Sequence, residues 1–243
     1  MNSEQWDEAH DPNEMLKFLD YFAHLRKHQL FACACIERVR EFVRHEELKS
    51  CLDIIRFYPD SPVSLDTIQL AQTKSDKILE EFKFGPDHPK DFIEYYPGAA
   101  IYRFFRWIHD EGMPVGVGSC CRTAMGRVSW INAIQMDEPN KYQTAQQIKD
   151  TIEQNEALQQ CNLLREIFGN PFHPVTTDPI WLTPTVTAMA QAMYEDRNFT
   201  AMPILGDALE EAGCDNEDIL QHCRDMTGHV RGCWLVDLVL DKQ

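Results

Sequence analysis

The stretch TAQQIKDTIEQNEALQQCNLLREIFGNP, residues 144–171, decides the fold class. Ile148, Ile152, Leu164 and Ile167 return to one side of a helix of 3.6 residues per turn. Gly169 stands where a helix end wants a left-handed residue, and Asn170 with Pro171 blocks continuation. The stretch therefore predicts a long helix over 144–168.

The same grammar extends in both directions. Towards the C-terminus, Thr183 before Pro184 is a cap with proline at the first helical position, opening a helix through Val186, Met189, Ala190 and Met193. A further helix over 202–212 ends at Gly213, and Asp215 caps a short one carrying Ile219 and Leu220. The final apolar run, 233–240, fits either a helix or a buried strand by periodicity, and helix is favoured.

Towards the N-terminus, Ile101, Phe104, Phe105 and Ile108 mark a helix from Ala99 that Gly112 and Pro114 stop, and 115–118 has strand or turn character. Gly85, Pro86, Pro89 and Pro97 make 84–97 a long loop or a boundary between two halves, 1–83 and 98–243. Before it, helices are expected over 65–82 after Ser64, over 47–57 before Pro59 and Pro62, and over 27–43. Asp11 with Pro12 opens the first, through Met15, Phe18, Leu19 and Phe22. The expected fold is all-α, an irregular multi-helix globular protein without a fixed-period repeat.

Composition narrows the function classes. The 243 residues carry 23 Lys and Arg against 39 Asp and Glu, a net charge of −16, which opposes phosphate backbones and anionic lipid surfaces. Neither a nucleic-acid nor a membrane partner is expected. The basic stretch 26–49 interleaves Glu with its cations, as a solvated helix face does. The acidic start MNSEQWDEAHDPNEM is unlike a signal peptide, and no apolar run approaches the ~18 residues of a membrane span. Nine cysteines, an odd count with irregular spacing, then read as reduced thiols of a cytoplasmic protein.

Chemistry-bearing residues are densest near the C-terminus. Cys214, His222, Cys223, His229 and Cys233 are ligand types for tetrahedral zinc, although no CxxC pair accompanies them. On a continuous helix His229 and Cys233 would share a face at i and i+4, with His222 or Cys223 approaching from the preceding helix. A cysteine nucleophile is a weaker reading, with Cys233 paired across the fold to His222. Arg231, Trp234 and Asp237 form a second candidate set, an interaction patch of residue types enriched at binding hot spots. The competing reading buries Trp234 in the core. The sequence holds no GxSxG, P-loop, GxGxxG or HExxH motif.

The segments IFGNPFHPV (167–175), WLTPTV (181–186), MPILGDALEEAGCDNEDILQHCR (202–224) and HVRGCWLVDLVL (229–240) resemble a family of bacterial proteins common in planctomycetes. Trp6, Asp11-Pro12 and LFACACIERVR (30–40) resemble the start of the same proteins, while 50–150 follows no such pattern. The resemblance implies a bacterial protein with a helical fold and brings no activity, cofactor or catalytic residue with it. The leading functional expectation is a non-enzymatic intracellular interaction or accessory protein with a protein partner and no required cofactor. The alternative is a zinc-binding protein or metal-dependent enzyme built on the C-terminal Cys/His cluster.

Overall fold

The computed structural model describes residues 1–19, 24–61, 63–82, 89–110, 115–135, 139–225 and 228–242. Among the described residues lie twelve α-helices and no strand, so the chain is all-α. They are α1 (Ser3–Asp7), α2 (Pro12–Phe18), α3 (Leu25–Arg38), α4 (Glu46–Phe57), α5 (Leu65–Glu81), α6 (Pro89–Asp110), α7 (Val115–Ile134), α8 (Lys141–Phe168), α9 (Pro184–Asp196), α10 (Met202–Glu211), α11 (Glu217–Arg224) and α12 (Trp234–Val239). Among the described residues no helix is long and apolar enough to cross a membrane.

The caps behave as the side chains dictate. Asp11 accepts from the Asn13 amide at 2.9 Å, Ser64 from Thr67 at 3.2 Å and Thr183 from Val186 at 3.3 Å, each satisfying an orphan donor of a first helical turn. Asn216, rather than the expected Asp215, caps α11, its Oδ1 accepting from the Ile219 amide at 3.1 Å. The helix expected over 27–43 ends at Arg38 and gives way to a 3-10 turn, Arg40–Phe42. The helix expected through Leu19 and Phe22 ends at Phe18, with Leu19 extended; Phe22, the breaker Pro62, the Gly85–Pro86 pair and the Gly112–Pro114 stop lie outside the described residues.

The chain divides into two compact units, one of His10–Gln160 and one of Met1–Ala9 with Cys161–Gln243. The boundary expected at 84–97 is thus displaced. Residues 89–97 belong to α6, where Pro89 takes a first-turn position that needs no amide hydrogen. Helices α5 and α6, from either side of the expected boundary, pack together within the His10–Gln160 unit. Nor is 115–118 a strand: α7 starts there, with Val117 buried and the Gly118 carbonyl accepting from Gln160 Nε2 at 3.1 Å. A Cβ at Gly118 would come within 2.9 Å of Gln160 Oε1, so this glycine serves close approach rather than a turn.

In the His10–Gln160 unit α6 packs between α5 and α7, and α3 packs on α7. Phe31, Leu48, Ile68, Ile101, Phe104 and Phe105 are buried there. The seam of α8 that begins with Ile148 and Ile152 continues at four-residue steps into Glu156 and Gln160, both buried polar groups. Arg38 resolves the first with a two-pronged pair to the Glu156 carboxylate at 2.9 and 2.7 Å.

In the other unit, the apolar sides of α9, α10, α11 and α12 form one core containing Met193, Met202, Leu205, Ile219, Leu235 and Val236. The last turn of α8 holds α1 against it: the Arg165 guanidinium donates to the Trp6 and Ala9 carbonyls, each at 2.9 Å, and Trp6 is fully buried. Gly169 takes φ +70°, where any L side chain is strained, and a Cβ there would lie in ordinary contact with Trp234 at 3.4 Å. Helices α10 and α11 approach closely at Gly206, where an added Cβ would lie 2.8 Å from Cys223 Cβ. Gly206→Ala is therefore expected to destabilise this unit by about 1–3 kcal/mol through overpacking, despite alanine's better helix propensity. Urea denaturation checks this, and an alanine variant as stable as the native chain would contradict the close approach.

Candidate metal centre

Four ligand-bearing side chains of the Met1–Ala9 and Cys161–Gln243 unit converge: Glu166, His222, His229 and Cys233, with ligand atoms all within 4.8 Å of one another. Each is placed by a different local device. Glu166 lies on the last turn of α8, between the buried Leu164 and Ile167. His222 lies on the last turn of α11, and the helix rotation between consecutive residues sends its neighbour Cys223 towards α10 instead. His229 follows Gly228 in the connection to α12, and Cys233 is the N-cap residue of α12. Between them Gly232 adopts φ +92°, a turn that a side chain would strain, so His229 and Cys233 do not share the helical face expected of them.

The distances are those of groups pointed at a common centre. His222 Nε2 lies 3.1 Å from Cys233 Sγ and 3.6 Å from Glu166 Oε2, while His229 Nδ1 lies 3.1 Å from Glu166 Oε1. A tetrahedral zinc with bonds of about 2.0–2.3 Å has ligand-to-ligand edges of roughly 3.3–3.8 Å, so the 3.1 Å pairs would open slightly and the widest separation, up to 4.8 Å, would close by about 1 Å. Side-chain exposure is 16% for His222, 9% for Glu166 and 6% for His229, and Cys233 is wholly buried.

Hydrogen bonding sets the tautomer of His229. Its Nε2 lies 2.8 Å from the Asp225 backbone carbonyl, which can only accept, so Nε2 carries the proton. In the neutral ring the lone pair is then on Nδ1, aimed at the carboxylate. Two acceptors face each other there unless a proton or a cation sits between them. This is the arrangement of a metal-ligating histidine whose other nitrogen is fixed by a carbonyl. Burial opposes the imidazolium, but the hydrogen bond and charge of Glu166, with the Asp225 carbonyl, hold His229 above the ordinary histidine value. Burial dominates at His222 and pushes it below that value, with Glu166 opposing the shift.

Burial also pushes the Cys233 thiol well above its ordinary value, and the Glu166 charge adds to this, while backbone amides of Val236 and Leu235 bond to the sulfur. Without a cation the thiol keeps its proton. With a dication, one thiolate and one carboxylate balance the charge and two neutral imidazoles complete four ligands. Mixed nitrogen, sulfur and oxygen donors favour zinc and its transition-metal neighbours over calcium or magnesium, which take oxygen ligands.

The geometry also separates this group from a cysteine nucleophile. Sγ and Nε2 are within a nucleophile's reach of a base, yet Glu166 approaches that same Nε2 rather than the opposite ring nitrogen that an orienting acid would bind. The sulfur is moreover fully buried.

Of the five residues expected as ligands, His222, His229 and Cys233 come together, whereas Cys214 and Cys223 are outside the group. Cys223 belongs to the apolar core, as does Cys214, which follows α10. Glu166 was not expected. The expected patch of Arg231, Trp234 and Asp237 is not one exposed surface: Asp237 is 2% exposed, and Arg231 stacks over the Tyr194 ring at 4.9 Å. Trp234 is half-buried, lying at Gly169 and tilted against the His222 ring at 4.8 Å between centroids. No protein-family model, no curated protein and no solved structure matches the chain.

Proposed function

We propose that this protein binds one zinc-class divalent ion through Glu166, His222, His229 and Cys233. The observation that carries the reading is the convergence of four ligand atoms within 4.8 Å around a largely buried point. Supporting it are the carbonyl-fixed tautomer of His229 and the charge balance of one thiolate and one carboxylate against a dication. The reading stands before that of an interaction protein anchored at Arg231, Trp234 and Asp237, because Asp237 is buried and Trp234 packs at Gly169 and His222.

The expected result is one zinc per chain, by elemental analysis, in untagged protein purified without chelator and reloaded near neutral pH. Zinc competes with protons at Cys233 and His229, since the metal-free surroundings hold both groups above their ordinary values. Affinity should therefore fall steadily as the pH is lowered from about 8 to 6, and ions should be released in acid. A substoichiometric metal content that excess zinc does not raise would remove the proposal.

A further inference from the structure

Resting on that reading, we infer that the ion is a structural staple of the unit, fastening the connection before α12 to the end of α8, and not the centre of a reaction. Its four ligands fill the coordination number of zinc in closed structural sites, whereas catalytic zinc keeps a position open for water or substrate. The side chains are 0–16% exposed, which leaves little approach to the ion from solvent.

The segment that carries two of the ligands is short and bent. Helix α12 has six residues, too few to persist on its own hydrogen bonds, and its N-cap residue is the ligand Cys233. The connection leading into it bends at Gly228 and Gly232, both with positive φ. Of its side chains, His229 and Cys233 are directed at Glu166 and His222. Glu166, by contrast, belongs to a helix of 28 residues. An ion at the convergence point joins this short, bent segment to the 28-residue helix α8. Residues 228–240 should hold their native arrangement only part of the time when the ion is removed.

Hydrogen exchange on the full chain, followed by mass spectrometry with and without zinc, tests this. Zinc at a hundredfold excess over its Kd is expected to slow exchange in peptides from 228–240 by up to about a hundredfold, because opening must first release the ion. Peptides from α5, in the other unit, should not change. The Glu166→Gln chain should exchange over 228–240 as the metal-free native chain does, with zinc or without. A native chain that retains no zinc overturns the metal reading itself. Stoichiometric zinc with unchanged exchange over 228–240 overturns the staple alone, as does a Glu166→Gln chain that zinc protects as fully as the native one.

Discussion

The Cys233→Ser chain is expected to bind zinc about a hundredfold more weakly than the native chain. Structural zinc sites hold their ion with roughly 10–16 kcal/mol, so each of four ligands carries on the order of 3 kcal/mol, or about two powers of ten. Serine keeps the size of the side chain and removes the thiolate, which is the softest donor of the set and supplies half of the charge that balances the ion. The same replacement at Cys214 or Cys223 should leave stoichiometry and affinity intact, since neither belongs to the converging group. Competition with a chromophoric chelator gives the affinities. Cobalt gives an independent reading, because its thiolate charge-transfer absorption in the near ultraviolet should appear in the native, Cys214→Ser and Cys223→Ser chains and vanish in Cys233→Ser. Persistence of that band in Cys233→Ser would assign the thiolate to another cysteine and dissolve the site as drawn.

What could be read from the sequence follows the range of the interaction concerned. Caps and stops act within one helical turn, so Asp11, Ser64, Thr183 and Gly169 announce their helix ends correctly. Proline and glycine between helices are weaker guides. Pro89 and Pro97 suggested a loop, but the first is harmless at a helix start, and burial of Ala100, Ile101 and Phe104 carries α6 through the second. The partition into units was illegible for a different reason: Arg165 and Asn170 gather the first nine residues onto the C-terminal part of the chain through contacts no local pattern encodes.

At the candidate site three of the converging residues were legible as residue types clustered in sequence, and the fourth was not. The sign of Glu166 was present in weak form, as a carboxylate set between core positions Leu164 and Ile167 at the end of a helix. A charge among buried neighbours needs a partner, and here the partners are two histidines that arrive from the far end of the unit. The assumed helical pairing of His229 with Cys233 failed because Gly232 turns the backbone between them. Their proximity comes from a bend and a cap.

The second large effect is expected in the other unit, at Arg38. Glu156 has a side chain only 1% exposed and receives both prongs of the Arg38 guanidinium, with Gln160 Nε2 adding a longer contact at 3.3 Å. Arg38→Ala leaves a buried carboxylate whose main donor is gone, a loss that typically costs about 3–5 kcal/mol, far beyond that of an exposed ion pair. The ladder around it makes compensation difficult, because Gln160 already donates to the Gly118 carbonyl and accepts from Arg122. By contrast, removing both charges in Arg38→Leu with Glu156→Leu leaves no unpaired buried carboxylate and should recover most of the loss, since a buried pair adds little net stability over well-packed hydrocarbon. Urea denaturation of the native, Arg38→Ala and double variants tests this: a drop in midpoint for Arg38→Ala with an unchanged slope, largely restored in the double variant, is the expected pattern. A single variant within about 1 kcal/mol of the native chain would mean that Glu156 finds other donors or solvent, and that the polar stretch of the α8 seam is not held by Arg38.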